Sequence, residues 1–337
     1  MGVQKKVLIT GASGFIGHYL VEDFLSRGFA VYAGVRATSK TDDLKTLGAE
    51  IVNMDLSNVT TLIHQFLDQA AQIGRWDYIV HVAGLTKSVK KTDFERVNNE
   101  NTQILCSALI GAKMIPDRFV FLSSLSVFGP LHEHDSRPID EAETPLPNTA
   151  YGCSKLHAEQ YLQSTEIPYL ILSPTGVYGP REKDYFMMAK SIRSHIDFAV
   201  GYSPQTLTFI HVADLAQAVR LSFTSEFVNR RYLLSDGSEY TSRDFSDLLQ
   251  KELGVSWVCH LVAPLCLLKL ISLYGELIGR ITGHPSTFNL DKFRIMKQRN
   301  WRCNITPACQ QLGYKPEYPL HKGVKQVITW YKANRWL

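Results

Sequence analysis

Four positions separate Tyr151 from Lys155 in the stretch NTAYGCSKLHA. One helical turn brings residues i and i+4 onto the same face, so the lysine ammonium would lie beside the phenol. A free phenol titrates at about 10. A neighbouring positive charge lowers that value, and the phenol could then exchange a proton with an alcohol or ketone near neutral pH. Taken alone, the pair is equally an ordinary feature of a helix surface. Ser123 and Ser124 change its weight. They lie in RFVFLSSLSVFG (118–129), at the end of an apolar run that reads as a strand. Open α/β sheets bind ligands at the carboxyl ends of their strands. A serine hydroxyl there can hold the oxygen that the tyrosine protonates. Ser124, Tyr151 and Lys155 are the candidate proton-transfer set, with Ser126 a nearby alternative to Ser124.

A partner for that chemistry is suggested upstream. Residues 10–17 read TGASGFIG and space Gly11, Gly14 and Gly17 as GxxGxxG, directly after one apolar run and directly before a helical pattern. Glycine permits the tight turn and lets backbone N–H groups approach a pyrophosphate, and the helix N-terminus adds partial positive charge. The reading is a dinucleotide-binding loop. The end of the second strand, VYAGVRATSK, bears on NAD against NADP. NAD sites place an acid there for the ribose hydroxyls. Here Val35 holds that position, Arg36 follows, and Ser39 and Lys40 come shortly after. Arg36 could face a 2′-phosphate or stack on adenine, which favours NADP over NAD; the alternative is a solvated arginine. Asp55, after the next strand, is a candidate for the adenine amino group, or a helix N-cap within DLSN.

The elements that must position these residues alternate. VLIT (7–10), AVYAGVR (30–36), EIVNMDL (50–56), YIVHVAG (78–84) and RFVFLSSLSVFG read as strands. IGHYLVEDFLSRG (16–28), TTLIHQFLDQA (60–70) and FERVNNENTQILCSALIGA (94–112) read as helices. Strands alternating with helices imply βαβ units in a parallel sheet, and uninterrupted apolar strands imply that both faces are covered. Residues 130–149 read as a surface loop and a helix begins near Tyr151. YLILSPTGVYGP (169–180) runs from strand to loop, and the pattern turns irregular from about 175. FIHVADLAQAVRLSF (209–223) returns to strand then helix, YLLSD (232–236) reads as one more strand, and 238–337 reads as mostly helical. The expected organisation is a nucleotide-binding domain over 1–174 with 206–237 returning to it. A smaller substrate lobe would comprise 175–205 and 238–337.

With 337 residues, 45% of them hydrophobic, the chain can bury a large core. Its 20% charged residues and net charge of +4 are scattered, as on a solvated surface, so nucleic acid is not an expected partner. The six cysteines form no CxxC pair and stand near no histidine cluster. Neither a metal site nor a disulfide framework is expected, and a reducing cytoplasm fits. The N-terminal MGVQKKVLITGASG has no apolar signal-peptide core. Residues 261–281, LVAPLCLLKLISLYGELIGRI, are interrupted by Pro264, Lys269, Glu276 and Arg280. They read as an amphipathic helix that covers a substrate pocket or touches a membrane surface.

Taken together these motifs resemble the extended short-chain dehydrogenase/reductase family over most of the chain: TGASGFIG, HVAG (81–84), VNNENT (97–102), SSLSVFG (123–129), YGCSK (151–155), SPTGVYGP (173–180) and FIHVADLAQA (209–218). The resemblance implies a Rossmann-type doubly wound α/β sheet with a smaller, mostly helical C-terminal lobe. It implies proton transfer by Ser124, Tyr151 and Lys155, with Lys155 also binding the nicotinamide ribose. It implies cofactor contacts from Gly11, Ser13, Gly14, Phe15, Ile16 and Gly17, from Asp55 and Leu56, from Val82, Ala83 and Gly84, and from Pro174, Thr175 and Val177. Asn98 matches a structural asparagine. Family members usually dimerise through the helices that here span roughly 94–112 and 151–163. Ser173-Pro174 departs from the family's frequent Arg-Pro.

Two branches of that family compete for the substrate. Nucleotide-sugar epimerases and dehydratases need arginines for a diphosphate. An Arg-Asp that many of them carry before the FIHV-like strand is replaced here by Leu207 and Thr208. Dehydrogenases and reductases of apolar alcohols, such as 3β-hydroxysteroid dehydrogenases and dihydroflavonol reductases, suit Arg36 and the apolar 261–281 stretch better. The favoured reading is a hydrophobic small-molecule substrate, with the nucleotide-sugar reading as alternative and a non-catalytic regulator as a minor one. Arg181, Arg294, Arg299 and Arg302 could supply phosphate contacts. His81, His157 and His211 read as structural, and Trp301 as core.

Overall fold

Continuous apolar runs become the strands of one parallel sheet. The computed structural model describes residues 4–283 and 289–337, so short pieces of both expected regions, 1–3 and 284–288, lie outside the described residues. The first part of the chain alternates strictly. It runs β1 (Lys6–Thr10), α1 (Phe15–Ser26), β2 (Ala30–Val35), α2 (Asp42–Leu47), β3 (Glu50–Asn53), α3 (Val59–Ile73) and β4 (Tyr78–His81). There follow α4 (Lys91–Phe94), a π-helical turn at Glu95–Glu100, α5 (Asn101–Gly111) and β5 (Arg118–Leu122). A 3-10 turn at Leu125–Val127 precedes α6 (Ala150–Gln163) and β6 (Tyr169–Pro174). Beyond this lie β7 (Gly176–Tyr178), α7 (Lys183–Arg193), β8 (Ile196–Val200), β9 (Phe209–His211), α8 (Val212–Thr224) and β10 (Arg230–Leu234). The chain closes with α9 (Asp244–Leu253), β11 (Cys259–Ala263), α10 (Leu265–Thr282), α11 (Leu290–Lys297) and α12 (Leu320–Ala333).

The main sheet has seven strands in the order β10-β6-β5-β4-β1-β2-β3, all parallel. The chain winds outward from β1 through β2 to β3, then returns to place β4 on the other side of β1. Thr10 is paired with His81 where the winding reverses. That reversal is the topological switch point, where neighbouring crossover loops part and leave a crevice.

Period-two alternation divides each strand between two cores. Val7, Ile9, Val31, Ala33, Val80, Val120 and Leu122 face the side covered by α1 and α8. Leu8, Tyr32, Ile79, Phe119 and Phe121 face the side covered by α3 and α5. Each helix shows its partner face one turn apart: Leu20, Val21 and Phe24 in α1, and Leu62 and Phe66 in α3. A third core, including Tyr178, Phe245, Val324, Ile328 and Tyr331, holds the C-terminal elements together.

Several boundaries differ from the sequence reading. The strand expected over 50–56 ends at Asn53, because Met54 makes the last bond to β2 (N–H to the Val35 carbonyl, 2.9 Å) before Asp55 turns. The irregular region after 175 contains α7 and three short strands. Residues 261–281 are not one helix: Cys259–Ala263 pairs in parallel with Ile196–Val200, and Pro264 separates that strand from α10. An apolar run of this kind is ambiguous between strand and helix until a partner strand is present. Among the described residues no helix is long and apolar enough to cross a membrane.

Two glycines of the first turn are required by close approach. Gly11 has φ +69° and a Cβ there would stand 2.8 Å from the Ala83 backbone. A Cβ on Gly17 would stand 2.2 Å from the Gly11 carbonyl oxygen. Backbone on both sides cannot yield as a side chain would. Gly17→Ala is therefore expected to cost about 3 kcal/mol in urea unfolding; an unchanged midpoint would show that the loop can open.

Candidate active site

The first turn of α6 is placed by two contacts. The Thr149 side chain caps it, accepting from the Gly152 N–H at 3.0 Å. Gly152 itself packs so closely that a Cβ would lie 2.6 Å from the Ser126 carbonyl oxygen. A larger residue would push the helix off the serine loop. The missing side chain thus lets the first turn of α6, with Tyr151, sit against the serine loop after β5. Ser124, in extended conformation, accepts from the Ser126 N–H at 3.2 Å and shares a hydrogen bond with the Ser126 hydroxyl at 2.7 Å. The Tyr151 ring meets Phe94 edge-on, with centroids 6.4 Å apart.

Lys155 is 3% exposed. Its ammonium donates to the Leu122 carbonyl at 2.9 Å and stands 4.7 Å over the Phe121 ring. Burial pulls its pKa down to about 8, against an opposing pull from Glu159 one turn along α6. Tyr151 departs from expectation. Burial pushes its phenol up to about 12, opposed by the Ser124 hydroxyl, and Lys155 does not lower it. The reason is the lysine's own geometry: its charge is directed at the Leu122 carbonyl. At neutral pH the phenol is protonated in the free protein.

Glu159 is fully buried and ion-paired with Arg231, which β10 brings in beside β6. Arg231 also lies 5.2 Å over the Phe128 ring. Sequence reading passed over this pair, although the i, i+4 spacing of Lys155 and Glu159 was visible; Arg231 is more than 70 residues away and only the sheet joins them.

Asn98, buried in the π-helical turn, clamps the loop after β4. Its side-chain oxygen accepts from the Leu85 N–H at 2.6 Å, and its amide donates to the Leu85 carbonyl and the Ser154 hydroxyl, each at 3.0 Å. A second network joins the two strands of the switch point. The Ala83 N–H donates to the Thr10 hydroxyl (3.2 Å), which donates to His81 Nδ1 (2.7 Å). His81 Nε2 donates to the Thr102 hydroxyl (2.9 Å), which donates to the Asn98 carbonyl (2.7 Å). The Asn98 carbonyl takes the Thr102 proton, so Thr102 must accept from a protonated Nε2 of His81. Burial keeps the ring neutral, holding its pKa at about 3.

The glycine turn lies against this network. No side chain caps the first turn of α1, at Phe15, Ile16 and Gly17, and Ser13 precedes it in the turn. Gly11 abuts Ala83, next to Val82, and Gly84 is tight enough that a Cβ would stand 3.3 Å from the Lys155 ammonium. Pro174 and Thr175 close β6 and Val177 lies in β7. The Thr175 hydroxyl is buried without a partner among the described residues. An uncapped helix end, a Cβ-free approach and an orphaned hydroxyl along one sheet edge fit a dinucleotide. Arg36 and Lys40 are exposed beyond β2, and neither side chain has a polar partner among the described residues. Asp55 binds the Ser57 N–H and hydroxyl at 3.0 and 2.6 Å, while Asn58 caps α3, so the cap expected at Asp55 falls three residues later. Leu56 packs against the core under α3 and α5.

The candidate phosphate-binding arginines are engaged elsewhere. Arg181 faces Asp43 at 3.5 Å, Arg294 pairs with Asp291 at 3.1 Å, Arg299 donates to the Ser203 hydroxyl at 2.7 Å, and Arg302 pairs with Glu239. His157 meets Glu95 at 3.0 Å; buried His211 caps α8 and stacks on Tyr318. Trp301 packs on a small core around Phe128. A cleft lined by Ser88, Phe94, Gly275, Gly279, Asn289 and Asp291 opens beside Phe94. Asp291 reaches α6 directly, accepting from the Ala150 N–H at 2.8 Å.

A glycine cradle at the switch point of a parallel sheet marks the dinucleotide-dependent enzymes of doubly wound type. Within that class the chain belongs to the NAD dependent epimerase/dehydratase family, whose model matches residues 7–234. It is an enzyme of the extended short-chain dehydrogenase/reductase type. A putative UDP-glucose 4-epimerase of Methanocaldococcus jannaschii is 26% identical, over 97% of this chain and 99% of its own. A ceramide reductase of Caulobacter vibrioides is 27% identical, over 98% of this chain and 96% of its own. The crystal structure of dTDP-glucose 4,6-dehydratase from Bacillus anthracis in complex with NAD has the same fold, with a TM-score of 0.76 at 17% identity and 98% of each chain covered.

Burial of Lys155 has a measurable consequence. Its ordinary pKa of 10.5 falls to about 8 in the folded protein. Between those values the unfolded chain retains a proton that the folded chain has lost, so this position adds stability as pH rises and loses it as pH falls towards 8. Relative to Lys155→Met, the native protein should gain about 3 kcal/mol between pH 8 and 10.5 in urea unfolding. A pH-independent difference would mean that the ammonium is solvated.

Proposed function

We propose that this enzyme interconverts a secondary alcohol and a ketone on a hydrophobic substrate, using NADP. The unit built on the seven-stranded sheet, 1–174 with 206–237, holds the cofactor; 175–205 and 238–337 form the substrate lobe. The cofactor, when bound, supplies or accepts the hydride. Tyr151 gives its phenolic proton to the substrate oxygen as the carbonyl is reduced, Ser124 holds that oxygen, and Lys155 grips the nicotinamide ribose. The glycine turn with Ser13, Phe15 and Ile16 receives the pyrophosphate. Val82–Gly84 and Pro174–Val177 line its path, and Asp55 and Leu56 lie towards the adenine. A phenol held protonated at neutral pH supports the reducing direction.

The observation that carries the choice of substrate is the loss of the expected Arg-Asp before β9, together with the engagement of two candidate arginines among the described residues. Leu207 and Thr208 replace the expected Arg-Asp, and Arg294 and Arg302 already have carboxylate partners. The ceramide reductase relative supports the same choice, and the UDP-glucose 4-epimerase relative favours the second reading, a nucleotide-sugar enzyme that retains its cofactor. Arg36, exposed beside Val35 at the place where an acid would serve NAD and without a polar partner among the described residues, supports NADP. We further place the enzyme in the cytoplasm as a homodimer through 94–112 and 151–163, with peripheral membrane contact through 261–281.

Tyr151→Phe should lower turnover by about 100-fold or more, with cofactor binding still measurable by fluorescence titration; near-normal turnover would sink the assignment. The substrate is tested on a panel of hydroxysteroids, keto lipids and UDP-, GDP- and dTDP-sugars, with nicotinamide absorbance and products both followed. Stoichiometric cofactor oxidation or reduction with a lipid is expected. Conversion of a UDP-sugar with no net absorbance change would overturn the choice. In parallel titrations, Arg36→Ala should weaken NADP by about tenfold and leave NAD unchanged, and a native preference for NAD would overturn the role of Arg36.

A further inference from the structure

Helix α10 inverts the usual arrangement of a surface helix. Leu268, Ser272, Gly275 and Gly279 recur at helical spacing and turn inward, with Leu268 and Ser272 buried. The outward positions are the apolar ones. Leu267, Leu270, Leu273, Tyr274, Leu277 and Ile281 are all exposed, Leu270 by 64%, Tyr274 by 66% and Ile281 by 76%. The pattern continues off the helix. The paired strands β8 and β11 and their flanks expose Phe198, Tyr202, Trp257 and Leu261. An ordinary soluble helix keeps charged residues outside, and an apolar patch of this extent marks an interaction surface.

We propose that this face docks on a lipid bilayer and that the substrate enters the cleft from there. Three observations select a bilayer over a protein partner. First, the exposed Tyr202, Trp257 and Tyr274 are residues that favour the boundary between hydrocarbon and water. Second, exposed cations stand near the face, on α7 and on α10, whereas Glu276 of α10 is half-buried. Lys190, Arg193 and Lys269 are exposed and have no ion pair among the described residues, whereas Asp197 is buried and bound to Ser246 and His260. Such a face complements anionic head groups. Third, the inner stripe of α10 leads to the reacting groups. Gly275 and Gly279 line the cleft with Phe94, whose ring meets Tyr151, and with Asp291, which holds the first turn of α6. Glycine at both places opens the α10 wall of the cleft, where Glu276 is the side chain of that helix that lines it. One helix therefore presents one side to the cleft and the other to the lipid. At about 27 Å, and carrying Lys269 and Glu276, it lies along a surface and does not span it.

The route into the cleft rests on the apolar substrate proposed above; docking itself is measured without substrate. In flotation with phosphatidylcholine vesicles containing phosphatidylglycerol, the protein should rise with the vesicles. It should rise less with phosphatidylcholine alone, and less at high salt. Leu270→Glu with Tyr274→Glu should reduce the bound fraction by about tenfold or more, while Leu67→Glu, on the exposed side of α3, should not. Emission from Trp257, taken as the difference from Trp257→Phe, should shift to the blue on vesicle addition, a signal that needs no charge substitution. Native protein that stays below both kinds of vesicle, or glutamate variants that float like the native protein, would overturn the proposal. So would a native oligomer that these glutamates dissociate, since a second copy would then cover the face. Turnover of a soluble alcohol by protein that never floats would remove the docking and leave the activity standing; flotation without oxidoreductase activity would support the docking and remove the activity.

Discussion

A lysine ammonium that is almost wholly buried must find its compensation inside the protein, and the site is arranged around that requirement. The Leu122 carbonyl accepts its proton, the Phe121 ring offers a negative face, and Glu159 supplies opposite charge one turn away. Each partner has its own demand. Glu159 is buried as well, so β10 must return to the sheet and deliver Arg231. A Cβ at Gly84 would press on the Asn98 amide oxygen and on Nζ, at 3.2 and 3.3 Å. Burial still dominates, leaving the lysine easier to deprotonate than usual and the tyrosine harder.

The second constraint is proton direction at the switch point. Ala83, Thr10, His81, Thr102 and Asn98 form one satisfied chain across β1, β4 and α5. A buried network of this kind rigidifies its surroundings only if every member is paired. Here it ties the glycine turn to the loop that Asn98 clamps, and through Ser154 to α6, so the turn and that helix share a frame. A charged His81 would break that chain and repel Lys155, and burial keeps it neutral.

Helix α10 belongs to a different regime. The sheet helices bury their apolar stripe because a strand surface waits for it. The α10 helix turns inward a narrow stripe of Leu268 and small residues and keeps its other leucines exposed or partly exposed. Its principal packing partner is α11, and beside it lies the cleft lined by Phe94, whose ring meets Tyr151. The lobe is thus built to leave apolar surface available beside the chemistry.

The glycine spacing, the alternation of strands and helices, and the shared helix face of Tyr151 and Lys155 were legible in the chain because each depends on local rules. Close turns demand glycine, buried strands are apolar, and residues four apart share a helix face. The seven-stranded parallel sheet and the family follow from those signals. What remained hidden rests on contacts between distant segments. β11 reads as helix until β8 lies beside it. Gly152 has no evident purpose until the Ser126 carbonyl presses on it, and Arg231 has no evident partner until the sheet carries it to Glu159. In the free protein burial, and not the neighbouring ammonium, sets the direction of the tyrosine's pKa, since adjacency on a helix does not say where an ammonium points or how much water remains. The sequence by itself determined which groups meet at the sheet edge. Only the tertiary structure decided their protonation, because burial and the choice of hydrogen-bond partner are properties of the packed fold.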